Sequence, residues 1–315
     1  MRPRSWEEFV GQDAAIRLFK RALESGKLAQ TYLLVGPEGT GKKTCALLLV
    51  NYLFCAQSPP CYECSHCQKL SRGVHPDVLL LEPQGETIKI SQVREAEGFM
   101  RFRPLEAPAK VILILEAERL TPEAANALLK SLEEPPPYVH FILTALSSDA
   151  LLPTIVSRSQ VVRFRALPRE AVANLLVKRF GREPEEARIL ALLSEGSLGR
   201  ALSFAEKGLL EELNRLVSVS RMNDPALKLK AAEALAQRRK DLPELIYLLK
   251  LWIWYSYLKA KGLFPYPQAF PEPAPPEAME ILSFADRIRE GLEHYANPEL
   301  SLLVLILRLS DLFQR

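Results

Sequence analysis

Gly36-Pro37-Glu38-Gly39-Thr40-Gly41-Lys42-Lys43-Thr44 follows a short apolar run, Thr31–Val35, and opens a helical pattern. That order, strand then glycine-rich turn then helix, is the setting of a phosphate-binding loop. There the glycines let backbone N–H groups close around phosphates, and a lysine reaches the outer oxygens. Gly36, Gly39, Gly41 and Lys42 fit the pattern. The next position needs a Ser or Thr hydroxyl to hold Mg²⁺, and here it is Lys43. An ammonium is donor-only and cannot ligate a cation. Thr44 comes one residue late, about 100° further round a helix. The bland alternative is a plain glycine turn; the flanking strand and helix favour a degenerate phosphate loop.

Working outward, short continuous apolar runs recur at Thr31–Val35, Val78–Leu81, Val111–Leu115, Phe141–Thr144 and Val161–Phe164. Strands of this kind are buried on both faces, which predicts an α/β fold with a parallel sheet. Val111-Ile112-Leu113-Ile114-Leu115-Glu116 stands where a Walker B strand belongs, but Leu115 occupies the position of the metal-supporting Asp. Glu116 remains, either as a vestige or as a solvated charge. Thr121, Pro122 and Glu123 mark a helix start, and Pro135-Pro136-Pro137 a stop, predicting a helix over Pro122–Glu134. Beyond Pro168 strand signals vanish. Three short helices are expected over 168–207, separated at Gly181–Pro184 and Gly196-Ser197, then longer helices over 208–315 interrupted by a loop from Pro265 to Pro276. The expected division is 1–167, 168–207 and 208–315.

The chain has 315 residues and a net charge of +3, so charge alone does not make it a nucleic-acid binder. Its first residues lack the apolar segment of a signal peptide, and the apolar stretches Leu251–Leu258 and Leu300–Leu307 are too short for a membrane span. A cytoplasmic protein with no membrane partner is expected, and in that reducing setting cysteines favour metal over disulfides. Cys55, Cys61, Cys64 and Cys67 form a C-x5-C-x2-C-x2-C array suited to a closed, structural Zn²⁺ site within a module at about 55–75. The alternatives are that His66 or His75 replaces one cysteine, or that the four are buried thiols without a ligand. Cys45, among Ala46, Leu47 and Leu48, reads as core.

Ala124-Ala125-Asn126-Ala127-Leu128-Leu129-Lys130-Ser131-Leu132-Glu133-Glu134-Pro135-Pro136, then Phe141–Thr144, then Leu152-Pro153-Thr154-Ile155-Val156-Ser157-Arg158-Ser159, resembles the clamp-loader branch of the AAA+ family. Phe9-Val10-Gly11-Gln12 and Gly196-Ser197-Leu198 fit as well. The resemblance implies a RecA-like domain with an inserted zinc module, a helical lid and an all-α collar that joins subunits. It implies a place in the bacterial DNA polymerase III holoenzyme, beside gamma/tau and delta subunits, loading a sliding clamp onto primed DNA. It also implies a role for Arg158, an arginine finger reaching a neighbour's γ-phosphate; Ser159 replaces the family's usual Cys without touching the charge. The second sensor arginine would fall on Gly199, with Arg200 displaced by one. Lys43, Leu115 and Gly199 together match the non-hydrolysing delta-prime type, with ATP and Mg²⁺ not bound productively.

Two rival readings stand beside this one: an active gamma/tau-like ATPase that tolerates Lys43 and Leu115, and a stand-alone zinc protein that binds DNA. The second lacks any recognisable DNA-reading motif. Trp252, Trp254, Tyr255 and Tyr257, mixed among leucines, read as core or subunit interface rather than a base-stacking platform.

Overall fold

A computed structural model describes residues 3–263, 274–293 and 296–314. The proline-rich loop expected from Pro265 to Pro276 lies almost wholly outside them. The described chain forms two compact units, one of Met1–Ala171 with Gly196–Gly199, the other of Val172–Glu195 with Arg200–Arg315.

The first unit is built on five parallel strands, β1 (Thr31–Val35), β2 (Val78–Leu81), β3 (Lys110–Ile114), β4 (Val139–Ala145) and β5 (Gln160–Arg163), in the order β2-β3-β4-β1-β5. Alternate side chains of each strand feed two separate cores. Leu33, Val35, Ile112, Ile114, Phe141 and Leu143 pack with helices α4 (Ile90–Met100) and α5 (Pro122–Glu133). Tyr32, Leu34, Val111, Leu113 and Ile142 pack with α1 (Asp13–Glu24) and α2 (Lys42–Phe54). The sheet is therefore the middle of three layers, which is why its central strands β1, β3 and β4 read as nearly unbroken apolar runs, while the edge strand β5 exposes Gln160 and Arg163. Thr121 caps α5 as expected, its hydroxyl oxygen accepting the Ala124 N–H at 3.3 Å. Cys45 is fully buried in the second core.

After α2 come α3 (Ser65–Arg72), and after β4 the short α6 (Pro153–Ser157). The second unit is helical throughout its described residues: α7 (Arg169–Phe180), α8 (Pro184–Leu193), α9 (Leu198–Glu206), α10 (Leu209–Arg221), α11 (Pro225–Ala236), α12 (Leu242–Ala260), α13 (Ile281–Glu293) and α14 (Pro298–Gln314), with the first residues of α7 and α9 belonging to the first unit. On α12, Trp252 and Tyr255 are buried, whereas Trp254 is exposed and stacks on Tyr257 at 6.1 Å. No helix among the described residues is long and apolar enough to cross a membrane.

Candidate functional site

The glycine-rich loop lies at the carboxyl end of β1, where ligands of open α/β sheets bind. Gly36 has φ +152°, and a Cβ there would sit 2.3 Å from the Phe164 carbonyl oxygen, so only glycine passes so close to the neighbouring strand. Lys42 turns back on its own loop, donating to the carbonyls of Gly36 and Pro37 at 2.5 and 2.8 Å. Burial lowers its pKa, against the opposing pull of Glu118, Glu38 and Glu116. Lys43 stands where the metal-supporting hydroxyl belongs, and its ammonium is paired with Glu82. Thr44 is partly buried one position further on.

The end of β3 departs in a second way. Leu115 is buried and its N–H donates to the Leu81 carbonyl. Glu116 then takes a left-handed conformation, φ 53°, with its N–H donating to the Thr144 hydroxyl oxygen at 3.0 Å. Its carboxylate pairs with Arg119 at 2.7 Å on the surface.

The third departure is at Gly199. Its N–H donates to the Gly39 carbonyl at 3.0 Å, and a Cβ there would lie 2.8 Å from the Gly39 Cα. No side chain fits against the loop at this point. In the second unit Arg200 is engaged elsewhere, donating to the Tyr247 hydroxyl at 2.8 Å and paired with Glu195 at 3.6 Å.

Arg158 ends α6. It is partly exposed, donates to Glu133 at 2.7 Å and to the Thr154 carbonyl at 3.1 Å. Both partners are on the surface, so the pair contributes little stability and restrains the guanidinium only weakly. Ser159 bonds the Ile155 carbonyl at 2.7 Å. Gln12 clamps Arg165 just beyond β5 from both sides, its amide donating to the Arg165 carbonyl and accepting the Arg165 N–H.

The four cysteine sulfurs converge within 4.8 Å of one another, with Cys55 to Cys61 at 3.6 Å and Cys55 to Cys64 at 4.0 Å. A tetrahedron with metal–sulfur bonds of about 2.3 Å has edges of about 3.8 Å. The Cys61 and Cys64 N–H groups point at the sulfurs of Cys55 and Cys61. Donors from Glu63 and Cys64 hold the Cys61 thiol down at about 6, favouring the thiolate a metal needs, while burial pushes Cys67 up. The donor set fits a structural Zn²⁺.

His66 and His75 do not join that set. His66 Nδ1 and His75 Nε2 lie 2.9 Å apart, and both lie near Glu106. The Asp77 N–H donates to His75 Nδ1 at 3.1 Å. A neutral imidazole that accepts at Nδ1 carries its proton on Nε2, leaving no lone pair there for a metal. The Nε2–H donates to His66 instead. The sequence names His66 and His75 only as possible stand-ins for a cysteine and Gly199 only as the position of a missing sensor arginine; the contacts they make, and the Asp77 carboxylate behind the histidines, carry no motif signal.

The sequence profile described as DNA polymerase III, delta subunit matches residues 11–168. The chain is 34% identical over 210 residues to DNA polymerase III subunit delta' of Bacillus subtilis, covering 64% of each protein. It is 30% identical over 234 residues to the tau subunit of the same bacterium, covering 73% of this chain and 40% of that one. It thus spans less than two thirds of either relative. A solved gamma subunit-related protein of Thermotoga maritima shares the fold, with a TM-score of 0.58 at 23% identity over 94% of this chain and 99% of the other. With a profile match over half its length, the chain belongs to the DNA polymerase III, delta subunit family, as a delta-prime-like member of the clamp-loader group.

Proposed function

We propose that the chain is the non-hydrolysing subunit of a bacterial clamp loader, supplying Arg158 in trans to a neighbouring ATPase subunit. The observation that carries this reading is that three groups a working site needs are missing, one just after the glycine-rich loop, one at the end of β3 and one at the start of α9. Lys43 replaces the hydroxyl and is paired with Glu82, Leu115 replaces the carboxylate, and Gly199 leaves no room for a sensor arginine. Phosphoryl transfer needs Mg²⁺ supported at two of these points, so ATP and Mg²⁺ would not be turned over here. Arg158 keeps a charged fork at the surface, restrained only by exposed partners. In this reading residues 1–167 form the AAA+ domain, 168–207 the lid and 208–315 the collar. Cys55, Cys61, Cys64 and Cys67 hold a structural Zn²⁺. The partners are gamma/tau and delta subunits, the sliding clamp and primed DNA, in the cytoplasm.

The test is DNA-stimulated ATP turnover by the chain alone and by the chain mixed with gamma/tau and delta. Silence alone, with turnover in the mixture that falls by about 10³ or more for Arg158→Ala, supports the reading. Magnesium-dependent turnover by the isolated chain, abolished by Lys42→Ala, would instead establish the active ATPase.

A further inference from the structure

The loop between α4 and β3 carries two of the three most exposed large apolar side chains among the described residues, Phe102 at 71% and Leu105 at 75%. Exposed arginines, Arg101 and Arg103, flank Phe102. Phe102 and Leu105 bury nothing to hold the tip of the loop, and only Ala107 and Ala109, nearer β3, pack on the second core. Here it is tied from beneath. The buried Asp77 carboxylate accepts the N–H groups of Leu105, Glu106 and Ala107 at 2.7, 2.8 and 2.9 Å. The Asp77 carbonyl also accepts the Val111 N–H, fixing the residue to β3.

The remaining ties come from the cysteine module. Helix α3 contains Cys67, and the same helix provides Lys69, which is paired with Glu106 on the loop. It also provides His66, which accepts from His75 two residues before Asp77. Both imidazoles pack on Phe54 of α2, at 6.3 and 4.9 Å. A helix of eight residues has little stability of its own. Leu70 anchors it in the second core, and the rest of its hold comes from what fixes Cys64 at its start and Cys67 within it.

We infer that the cysteine module braces the 101–107 loop, so that metal occupancy sets how firmly Phe102 and Leu105 are presented. This rests on the four cysteines holding a metal. The ties are of two kinds. Those from Asp77 survive metal loss, and those from Lys69 and His66 fail when α3 is released.

Amide hydrogen exchange on the full chain separates these cases, with zinc content measured on the same samples. Removing zinc with a chelator should speed exchange at Leu105, Glu106 and Ala107 roughly tenfold, as two modest ties are lost, with β1 and β4 unchanged. Lys69→Ala, which leaves every cysteine in place, should retain one zinc and still speed these amides several-fold. Unchanged loop exchange after zinc has demonstrably gone would overturn the brace. Should stripping accelerate β1 and β4 as well, Lys69→Ala decides: no change at the loop refutes the inference. Protein purified without zinc would overturn the metal reading instead, leaving Lys69→Ala to test the contact by itself.

Discussion

Arg158 rests on Glu133, and the strength of that contact bears on its role. An exposed pair contributes under about 1 kcal/mol, so Arg158→Ala should shift the thermal midpoint by no more than a few degrees while removing the trans contribution to turnover. A large loss of stability would mean the residue is structural. Asp77 is the opposite case, a buried charge with a purely internal task. Burial would raise its pKa, but the N–H groups of Leu105, Ala107 and Glu106 outweigh that and hold it below the ordinary carboxylate range. A depressed folded pKa stabilises the fold above the unfolded value of about 3.9 and is lost as pH falls through the folded one. Asp77→Asn should therefore cost about 1–3 kcal/mol at neutral pH and flatten the fall in stability below about pH 4, read from denaturant melts at several pH values. The two residues were not equally legible. Arg158 sits in a run that carries a family signature, whereas an aspartate before a strand looks like any solvated charge until the loop that covers it is seen.

At the scale of elements, the central strands were readable because burial on both faces leaves them almost wholly apolar, whereas the edge strand β5 keeps exposed Gln160 and Arg163 around two valines. β3 nevertheless begins at Lys110, one residue earlier than its apolar run. The Lys110 ammonium is buried over the Phe99 ring at 4.0 Å and bonded to the Phe99 carbonyl, so a charge hides inside the strand. The cysteine array was legible from its spacing. Cys64→Ser should lower bound zinc below one equivalent, measured by metal analysis of the purified protein; a full equivalent would mean the ligand set is wrong. The start of α9 was legible only as a glycine-marked boundary, since its approach to Gly39 depends on distant chain. Gly199→Ala forces a Cβ to 2.8 Å from Gly39, and overpacking of this kind should cost about 1–3 kcal/mol in chemical denaturation.

For the molecule as a whole, the loss of strand signals after Pro168 announced a change from α/β to all-α, close to where the first unit gives way to the second after Ala171. The return of Gly196–Gly199 to the first unit could not be foreseen, because it is a matter of two backbone bonds rather than composition. Each unit has its own core, so calorimetry should give a measured enthalpy above the van't Hoff value, with Cys64→Ser displacing only one of the component transitions. A single transition moved bodily by that substitution would argue against separate units. The bonds from Leu167 N–H to Gly196 and from Gly199 N–H to Gly39 have a practical corollary for anyone shortening this gene. A product terminated at residue 171 would be cut at an apparent border yet would leave the Leu167 amide and the Gly39 carbonyl with no protein partner. The smallest self-sufficient fragment therefore has to run on through α9, carrying helices it does not otherwise need in order to keep four residues it does.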